Sequence, residues 1–162
     1  MPIRPATPAD APAIAAIYDA HARTGTGTFD VEGPPAADMA ARIAAVQARG
    51  WPWLVAEEAG AVTGYAYAAQ FRDRPAYAHC CEDSIYVAEP GRGTGRALLD
   101  ALMAAAAAAG FREMVAVIGD ADNRGSVVLH ERAGFRHVGR LEGVGLKFGR
   151  LLDVVFMQRA LP

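Results

Sequence analysis

Cysteine is nearly missing from this chain: Cys80 and Cys81 are the only two among 162 residues. Being adjacent, they cannot staple distant segments, and no metal-ligand spacing surrounds them, so neither a disulfide scaffold nor a structural metal site is expected. The four histidines, His21, His79, His130 and His137, are scattered. Charge of one sign is also lacking, with 16 Lys and Arg against 18 Asp and Glu. That removes the electrostatic footprint of a nucleic-acid partner. No apolar run reaches the length of a membrane span, and Met1-Pro2-Ile3-Arg4 has no apolar signal-peptide core. These absences lead us to expect a reduced, cytoplasmic, metal-free protein with no nucleic-acid or membrane partner. There is no internal repeat and no linker, so residues 1–162 are expected to form a single domain.

What is present suits a globular fold: 52% of the residues are hydrophobic and 21% charged. Ile3 to Ala6 reads as a short strand, and Thr7-Pro8-Ala9-Asp10 as a helix start with Thr7 as N-cap. Ile14, Ile17 and Tyr18 mark one face of that helix. His21 to Pro35 is a polar loop in which Phe29 stands out. Ala36 to Arg49 is an amphipathic helix stopped by Gly50. Strands are expected at Trp53 to Ala56, Val62 to Gln70 and His79 to Val87, with a turn at Glu57 to Ala61 and a polar connection at Phe71 to Tyr77. A third helix spans Thr94 to Ala109, favoured by its alanines, and the apolar run Met114 to Ile118 reads as a buried strand. A short helix at Ser126 to Ala133 precedes strands at Phe135 to Leu141 and Leu151 to Arg159, joined by a glycine-rich crossing from Gly143 to Arg150. The order β-α-α-β-β-β-α-β-α-β-β indicates an α+β domain with a mixed sheet.

One stretch carries a chemical signal. Ser84-Ile85-Tyr86-Val87 is a strand, Pro90-Gly91-Arg92-Gly93-Thr94-Gly95 is a glycine loop, and Leu98, Leu99, Leu102 and Met103 follow at helical spacing. Backbone N–H groups converging at a helix N-terminus favour phosphate, and Arg92 and Arg96 add charge. The loop lacks the Gly-Lys-Ser/Thr of a Walker motif and the G-x-G-x-x-G of a dinucleotide fold. Spacing alone leaves a plain glycine turn equally open.

Ile85 to Leu99, followed by Asn123-x-x-Ser126-x-x-Leu129-His130-x-x-x-Gly134-Phe135, resembles the GNAT superfamily of N-acetyltransferases. The blocks Trp53-Leu54-Val55-Ala56-Glu57, Glu82-x-Ser84-Ile85-Tyr86-Val87, Val115-Ala116-Val117-Ile118, Ser126 to Glu131 and Val144-Gly145-x-Lys147-Phe148-Gly149-Arg150-x-x-Asp153 are similar to its phosphinothricin and methionine sulfoximine acetyltransferase branch. The resemblance covers nearly the whole chain. It implies a mostly antiparallel sheet of about seven strands with about four helices, and a splayed strand pair that admits CoA. Two departures stand out. Pro90 occupies the position where the superfamily's pyrophosphate loop has Gln or Arg, and the link from Val87 is about two residues shorter. Phe71 and Leu152 stand where the branch often has Trp.

The implied reaction moves an acetyl group from acetyl-CoA to an amine, which must lose a proton before it attacks. The resemblance, rather than spacing, selects Glu82 as the base. On a regular strand Glu82, Ser84 and Tyr86 share one face and Asp83 takes the other. The resemblance implies that the backbone N–H of Val87 meets the developing oxyanion, with Ile85 and Tyr86 beside the pantetheine arm. It places the pyrophosphate on Gly91, Arg92, Gly93, Thr94, Gly95 and Arg96. His130, where the superfamily often has Tyr, is the candidate proton donor to the leaving thiolate; packing alone is the competing role. Asn123 and Ser126 belong at the cofactor, with Asn123 either bonding pantetheine or capping the short helix.

An amino-acid analogue carries a carboxylate that needs a cation. Arg72 is the first choice and Arg74 the second, with Phe71 beside the acceptor and Tyr77, Phe29 and Tyr86 as candidate pocket walls, core packing being the competing role for Tyr86. The resemblance places Lys147 and Arg150 on a late loop that approaches either the acceptor or a neighbouring subunit. The branch implies a homodimer. The expected acceptor is a small amino-acid analogue of the phosphinothricin, methionine sulfoximine or sulfone type. The alternatives are another small amine, a protein N-terminus, or a non-catalytic acetyl-CoA sensor, since a few pocket residues decide the acceptor.

Overall fold

The protein is described by a computed structural model covering residues 1–162. Strand β1 (Ile3–Pro5) is followed by a 3-10 turn at Pro8–Asp10, helix α1 (Ala11–Thr24) and helix α2 (Ala36–Ala48). Strands β2 (Trp53–Glu58), β3 (Ala61–Gln70) and β4 (Cys80–Val87) come next, with a 3-10 turn at Pro75–Tyr77 before β4. Helix α3 (Thr94–Ala108), strand β5 (Glu113–Gly119), helix α4 (Arg124–Arg132) and strands β6 (Arg136–Lys147) and β7 (Arg150–Ala160) complete the chain. The seven strands form one sheet in the order β1-β2-β3-β4-β5-β7-β6. Only β4 and β5 pair in parallel; every other neighbour is antiparallel. The α+β class and the mixed, mostly antiparallel sheet are as the sequence led us to expect.

Strand alternation sorts the core into two layers. In β2, Leu54 and Ala56 join the layer under α3, while Trp53 and Val55 join the layer under α1 and α2. Both faces are covered, so β2 begins as an unbroken apolar run. Helix α3 buries Leu98, Leu99, Leu102, Met103 and Ala106 on one face. Helices α1 and α2 bury Ile14, Ile17, Tyr18, Met39 and Ile43 on the other. The second layer includes an aromatic ladder in which Trp53 stacks on Tyr67 at 4.0 Å, Tyr65 stacks on Tyr86 at 5.4 Å, and Tyr18 meets Tyr86 edge-on at 5.1 Å.

The Gly143 to Arg150 crossing is corrected by the structure. Strand β6 runs on to Lys147, and Lys147 pairs directly with Arg150. The turn is Phe148-Gly149, both with positive φ (51° and 71°), as a two-residue hairpin of the primed type requires. The glycines upstream lie in a bulge: Leu141 pairs with Val154, yet Gly145 pairs with Leu152. The Asp153 carboxylate holds that bulge by accepting the Gly143 N–H at 2.8 Å and pairing with Arg140.

The segment between α1 and α2 is pinned. Lys147 Nζ donates to the carbonyls of Thr28 and Asp30 at 2.8 and 2.6 Å. Tyr18 OH bonds Thr28 Oγ1 at 2.9 Å and the Asp30 carboxylate. Thr26 Oγ1 donates to the buried Asp120 carboxylate. The Phe29 ring lies against two glycines, since a Cβ on Gly145 would fall 2.3 Å from it and one on Gly119 3.1 Å.

Candidate active site

Strands β4 and β5 run side by side from Cys80 opposite Glu113 to Asp83 opposite Ala116, and their pairing stops there. Beyond that point β4 stays with β3 as far as Val87, and β5 stays with β7 as far as Gly119. Each strand keeps its outer neighbour while the inner edges part. The backbone in the fork is oriented for binding. Ala88 N–H donates to Thr63, so Val87, opposite Gly64, turns its own N–H and carbonyl away from β3 and into the gap. Ile85, two residues earlier, does the same. His21 Nε2–H reaches across from α1 to the Val87 carbonyl at 2.8 Å and holds the strand end.

A cleft of about 740 Å³ opens from this fork. Glu82, Ile85, Tyr86 and Val87 line it from β4, and Pro90, Gly91, Gly93, Gly95 and Arg96 from the glycine loop and α3. Asn123, Ser126 and His130 line it from α4 and the turn before it. The sequence reading is thus brought together along most of its length. Gly91 and Gly93 both have positive φ, 83° and 81°, with open space where a Cβ would be. Their requirement is conformational: they turn the chain so that α3 starts at Thr94 with no side-chain cap. The N–H groups of its first turn therefore stay available for an anion.

Several expected residues have side chains buried or committed elsewhere, whether or not they reach the lining. The Thr94 side chain is buried against the position of Gly64, leaving its backbone as its contribution. Arg92 turns outward to Glu89 at 2.8 Å and Glu58 at 3.9 Å. Arg96 is bonded to Asp100 and to the Arg132 carbonyl. Lys147 lies outside the cleft: its buried ammonium is spent on the Thr28 and Asp30 carbonyls, so it shapes the wall and does not meet the acceptor. Burial lowers its pKa. Leu152 is buried at 2% exposure. Asn123 Oδ1 accepts the Ser126 N–H at 3.4 Å, the longest of the contacts that start α4.

Glu82 sits half-buried where the strands part, with 35% of its side chain exposed. Burial raises its pKa; the Arg72 guanidinium, 3.9 Å away, pulls it back, and Asp83 pushes it up again. Arg72 lies over the Phe71 ring at 4.0 Å, and Phe71 meets Tyr77 edge-on at 5.9 Å. Gln70 braces this connection by donating to the Arg72 and Arg74 carbonyls at 2.7 and 2.8 Å. Glu82 lines the cleft, whereas Phe71, Arg72 and Tyr77, expected at the acceptor, lie outside its lining and reach it only through the Arg72–Glu82 contact.

His130 is only 3% exposed, and both of its nitrogens are engaged. Nδ1–H donates to the Ser126 carbonyl at 2.8 Å, and Nε2 lies 2.9 Å from Asp83 Oδ2. Its ring also packs edge-on against Phe135 at 4.9 Å. Neither nitrogen is free to hand a proton to a leaving group, and that changes the role expected of this residue. Burial opposes charge on the ring, but the Asp83 bond and charge, with the Ser126 carbonyl, outweigh it and raise the pKa. The sequence reading passed over Asp83, His21 and Thr28. Alternation placed Asp83 on the far face of β4, but nothing in the spacing shows what waits there. His21 lies in the last turn of α1, not in the loop expected from His21 to Pro35, and Thr28 lies in the segment after it, whose tethers come from residues up to 119 positions away.

The acetyltransferase (GNAT) domain family matches residues 3–156. The chain is 47% identical over 154 residues to phosphinothricin N-acetyltransferase of Alcaligenes faecalis, covering 94% of this chain and 78% of that protein. It is 40% identical over 166 positions to the L-methionine sulfoximine/L-methionine sulfone acetyltransferase of Salmonella typhimurium, covering 99% and 95%. A phosphinothricin acetyltransferase from Sinorhizobium meliloti, solved in complex with acetyl-CoA, superposes with a TM-score of 0.95 at 44% identity, covering 99% of this chain and 88% of that one. A parted strand pair, an uncapped helix start behind a glycine loop, and relatives that match across both set the conclusion: the chain belongs to the GNAT acetyltransferase family.

Proposed function

We propose that the cleft transfers an acetyl group from acetyl-CoA to the amine of a small amino-acid analogue of the phosphinothricin, methionine sulfoximine or methionine sulfone type, with Glu82 as the base. The observation that carries this reading is Glu82 itself: a half-buried carboxylate at the fork, within 3.9 Å of the Arg72 cation. The relatives supply the donor and the acceptor class.

The donor set fits acetyl-CoA. The first-turn N–H groups of α3 and the turns at Gly91 and Gly93 suit a pyrophosphate, and the free Ile85 N–H and carbonyl in the fork suit the amides of a pantetheine arm. When bound, acetyl-CoA would supply a thioester carbonyl on which the amine forms the new C–N bond, and a CoA thiolate that departs as the C–S bond breaks and takes up the amine's second proton. The remaining work falls to the protein. Glu82 removes the proton that an ammonium carries at neutral pH, and burial makes its carboxylate a stronger base for that purpose. The Val87 N–H faces the gap and donates to the oxygen on which charge develops. His21 holds that strand end still. Arg72, stacked on Phe71 beside Tyr77, takes the acceptor's carboxylate. Asn123 and Ser126 flank the arm from the start of α4. Pro90 shortens the approach to Gly91 and leaves pyrophosphate binding to backbone donors alone.

The same proposal includes a second copy of the chain and a cytoplasmic setting, where acetyl-CoA is supplied. No helix is long and apolar enough to cross a membrane. The β6–β7 hairpin exposes Val144, Leu146, Phe148 and Leu151, the last at 71%, and an apolar patch of this kind marks an interaction surface. Light scattering expects a dimer, reduced to monomer by Leu146→Asp with Leu151→Asp; a monomeric parent protein removes this part.

The direct test is thiol release from acetyl-CoA against a panel of phosphinothricin, methionine sulfoximine, methionine sulfone, N-terminal peptides and polyamines. Release with the amino-acid analogues is expected. Release with peptides or polyamines alone reassigns the acceptor, and no release with any amine leaves a binding module.

A further inference from the structure

The buried pair beneath the fork has a chemistry that the acyl transfer described above does not use. Asp83 is the last residue of β4 still paired with β5. Its side chain is 2% exposed and points to the face opposite Glu82. There Asp83 Oδ2 meets His130 Nε2 at 2.9 Å, while His130 Nδ1 meets the Ser126 carbonyl at 2.8 Å. A carbonyl oxygen accepts only, so Nδ1 carries a proton. At Nε2 the distance fits two arrangements: a protonated Asp83 donating to a bare nitrogen, or an ionised Asp83 accepting from a protonated one. With Asp83 ionised, the ring that satisfies both contacts is an imidazolium.

Other charged groups near this ring are committed elsewhere. On α4, Glu131 pairs with His137 at 2.9 Å. On α3, Arg96 bonds Asp100 and the Arg132 carbonyl, and on β7 Arg159 donates to the Ala133 carbonyl. The side chain of Arg132 itself is exposed on α4. On β4, the neighbouring Cys81 thiol is buried and its pKa is pushed up to about 12, so it stays neutral. Glu82, across the strand, faces Arg72 at 3.9 Å. Asp83 is therefore the carboxylate that decides the charge on His130, and it stands one residue from the base.

We propose that Asp83 is a positioning residue for the base: it fixes His130 as an imidazolium, and the charge of that pair, with its negative end beside Glu82, strengthens Glu82 as a proton acceptor. The geometry gives the device its purpose. Two adjacent ionised carboxylates at a narrow fork repel each other. An imidazolium behind one of them offsets most of that repulsion and leaves a moderate push on the other. The pair also ties α4 to β4 where the strands separate, so the same contact fixes the fork's width. Proton loss from His130 would leave Asp83 uncompensated and its push on Glu82 unchecked.

This rests on the assignment of Glu82 as base, and the experiment separates the two. The wild-type protein, labelled with 15N at histidine, is followed by two-dimensional NMR from pH 5 to 9. His130 is expected to keep the shifts of a doubly protonated ring to above pH 8. A ring that is neutral at pH 7 overturns the proposal whatever the enzyme acetylates. Asp83→Asn preserves a hydrogen-bonding partner but removes the carboxylate. It is expected to turn His130 into a neutral ring accepting from the amide, and to move the acid limb of kcat/KM down by roughly half a pH unit. A variant in which both ring charge and acid limb stay as in wild type overturns the proposal. If Asp83→Asn does not fold, the wild-type titration decides alone.

Discussion

The contact between Phe29 and Gly145 yields the sharpest structural prediction. A Cβ added at Gly145 would lie 2.3, 2.6 and 2.8 Å from three atoms of the Phe29 ring. Ordinary carbon contacts begin near 3.5 Å, so the ring has to retreat by about 1 Å. It has little room, because its other edge lies against Gly119, and its segment is fastened by Lys147 and Tyr18. Overpacking of this kind costs about 2 kcal/mol. For a chain of this size that lowers Tm by roughly 4–8 °C. Gly145 has an ordinary φ, so backbone strain adds nothing. A four-member cycle of Gly145→Ala and Phe29→Ala, measured by thermal and urea unfolding, isolates the clash. Gly145→Ala is expected to be costly in the parent protein and nearly neutral where Phe29 is already Ala, a coupling of about 2 kcal/mol. Equal costs in both backgrounds would refute the reasoning and show that the loop yields freely. Thr28, the residue just before Phe29, lines the cleft, so the single variant also raises the acceptor KM more than it lowers kcat.

Three further outcomes follow from the same contacts. Gly93→Ala places a side chain at φ 81°, which costs about 1–2 kcal/mol, and is expected to raise the KM for acetyl-CoA while leaving the acceptor KM unchanged. Arg72→Met is expected to raise the acceptor KM and to move the acid limb of kcat/KM upward, because Arg72 holds the Glu82 pKa down against burial; an unmoved limb would separate the two groups. Stability should depend on pH at both ends. The raised His130 contributes stability that is complete below about 6.5 and is lost as pH rises through its folded pKa. Asp10, bonded to Arg4 and lowered to about 2, contributes stability present above its ordinary value and lost as pH falls through 2. Urea midpoints from pH 2 to 10 check both signs, with Asp10→Asn and His130→Gln each flattening its own limb.

Most of the fold was legible because local signals and burial agreed. The α3 stripe at Leu98, Leu99, Leu102 and Met103, the apolar run at Met114 to Ile118, and the alternation on β4 all mark buried faces. The β6–β7 hairpin was harder. Phe148-Gly149 is not the Asn-Gly that usually signals such a turn, and the bulge held by Asp153 spreads glycines through a strand. At the site, the place of Glu82 and the glycine loop on one cleft was legible because both lie on one short segment that the resemblance singles out. Lys147 was misplaced because a cation near the end of a strand gives no hint that two carbonyls 117 and 119 residues away will consume it. The Asp83–His130 pair was hidden for the same reason. Alternation says which face a side chain takes, and only packing says what it meets across 47 residues.

The central claim, that Glu82 takes the acceptor's proton, is tested most directly by Glu82→Gln. The glutamine keeps the shape of the side chain and cannot act as the base. Thiol release with methionine sulfoximine is expected to fall by a factor of roughly 10²–10⁴, while calorimetry shows acetyl-CoA binding within about twofold of the parent protein, because the cofactor's donors lie on α3 and in the fork. A variant that turns over as fast as the parent would contradict the account.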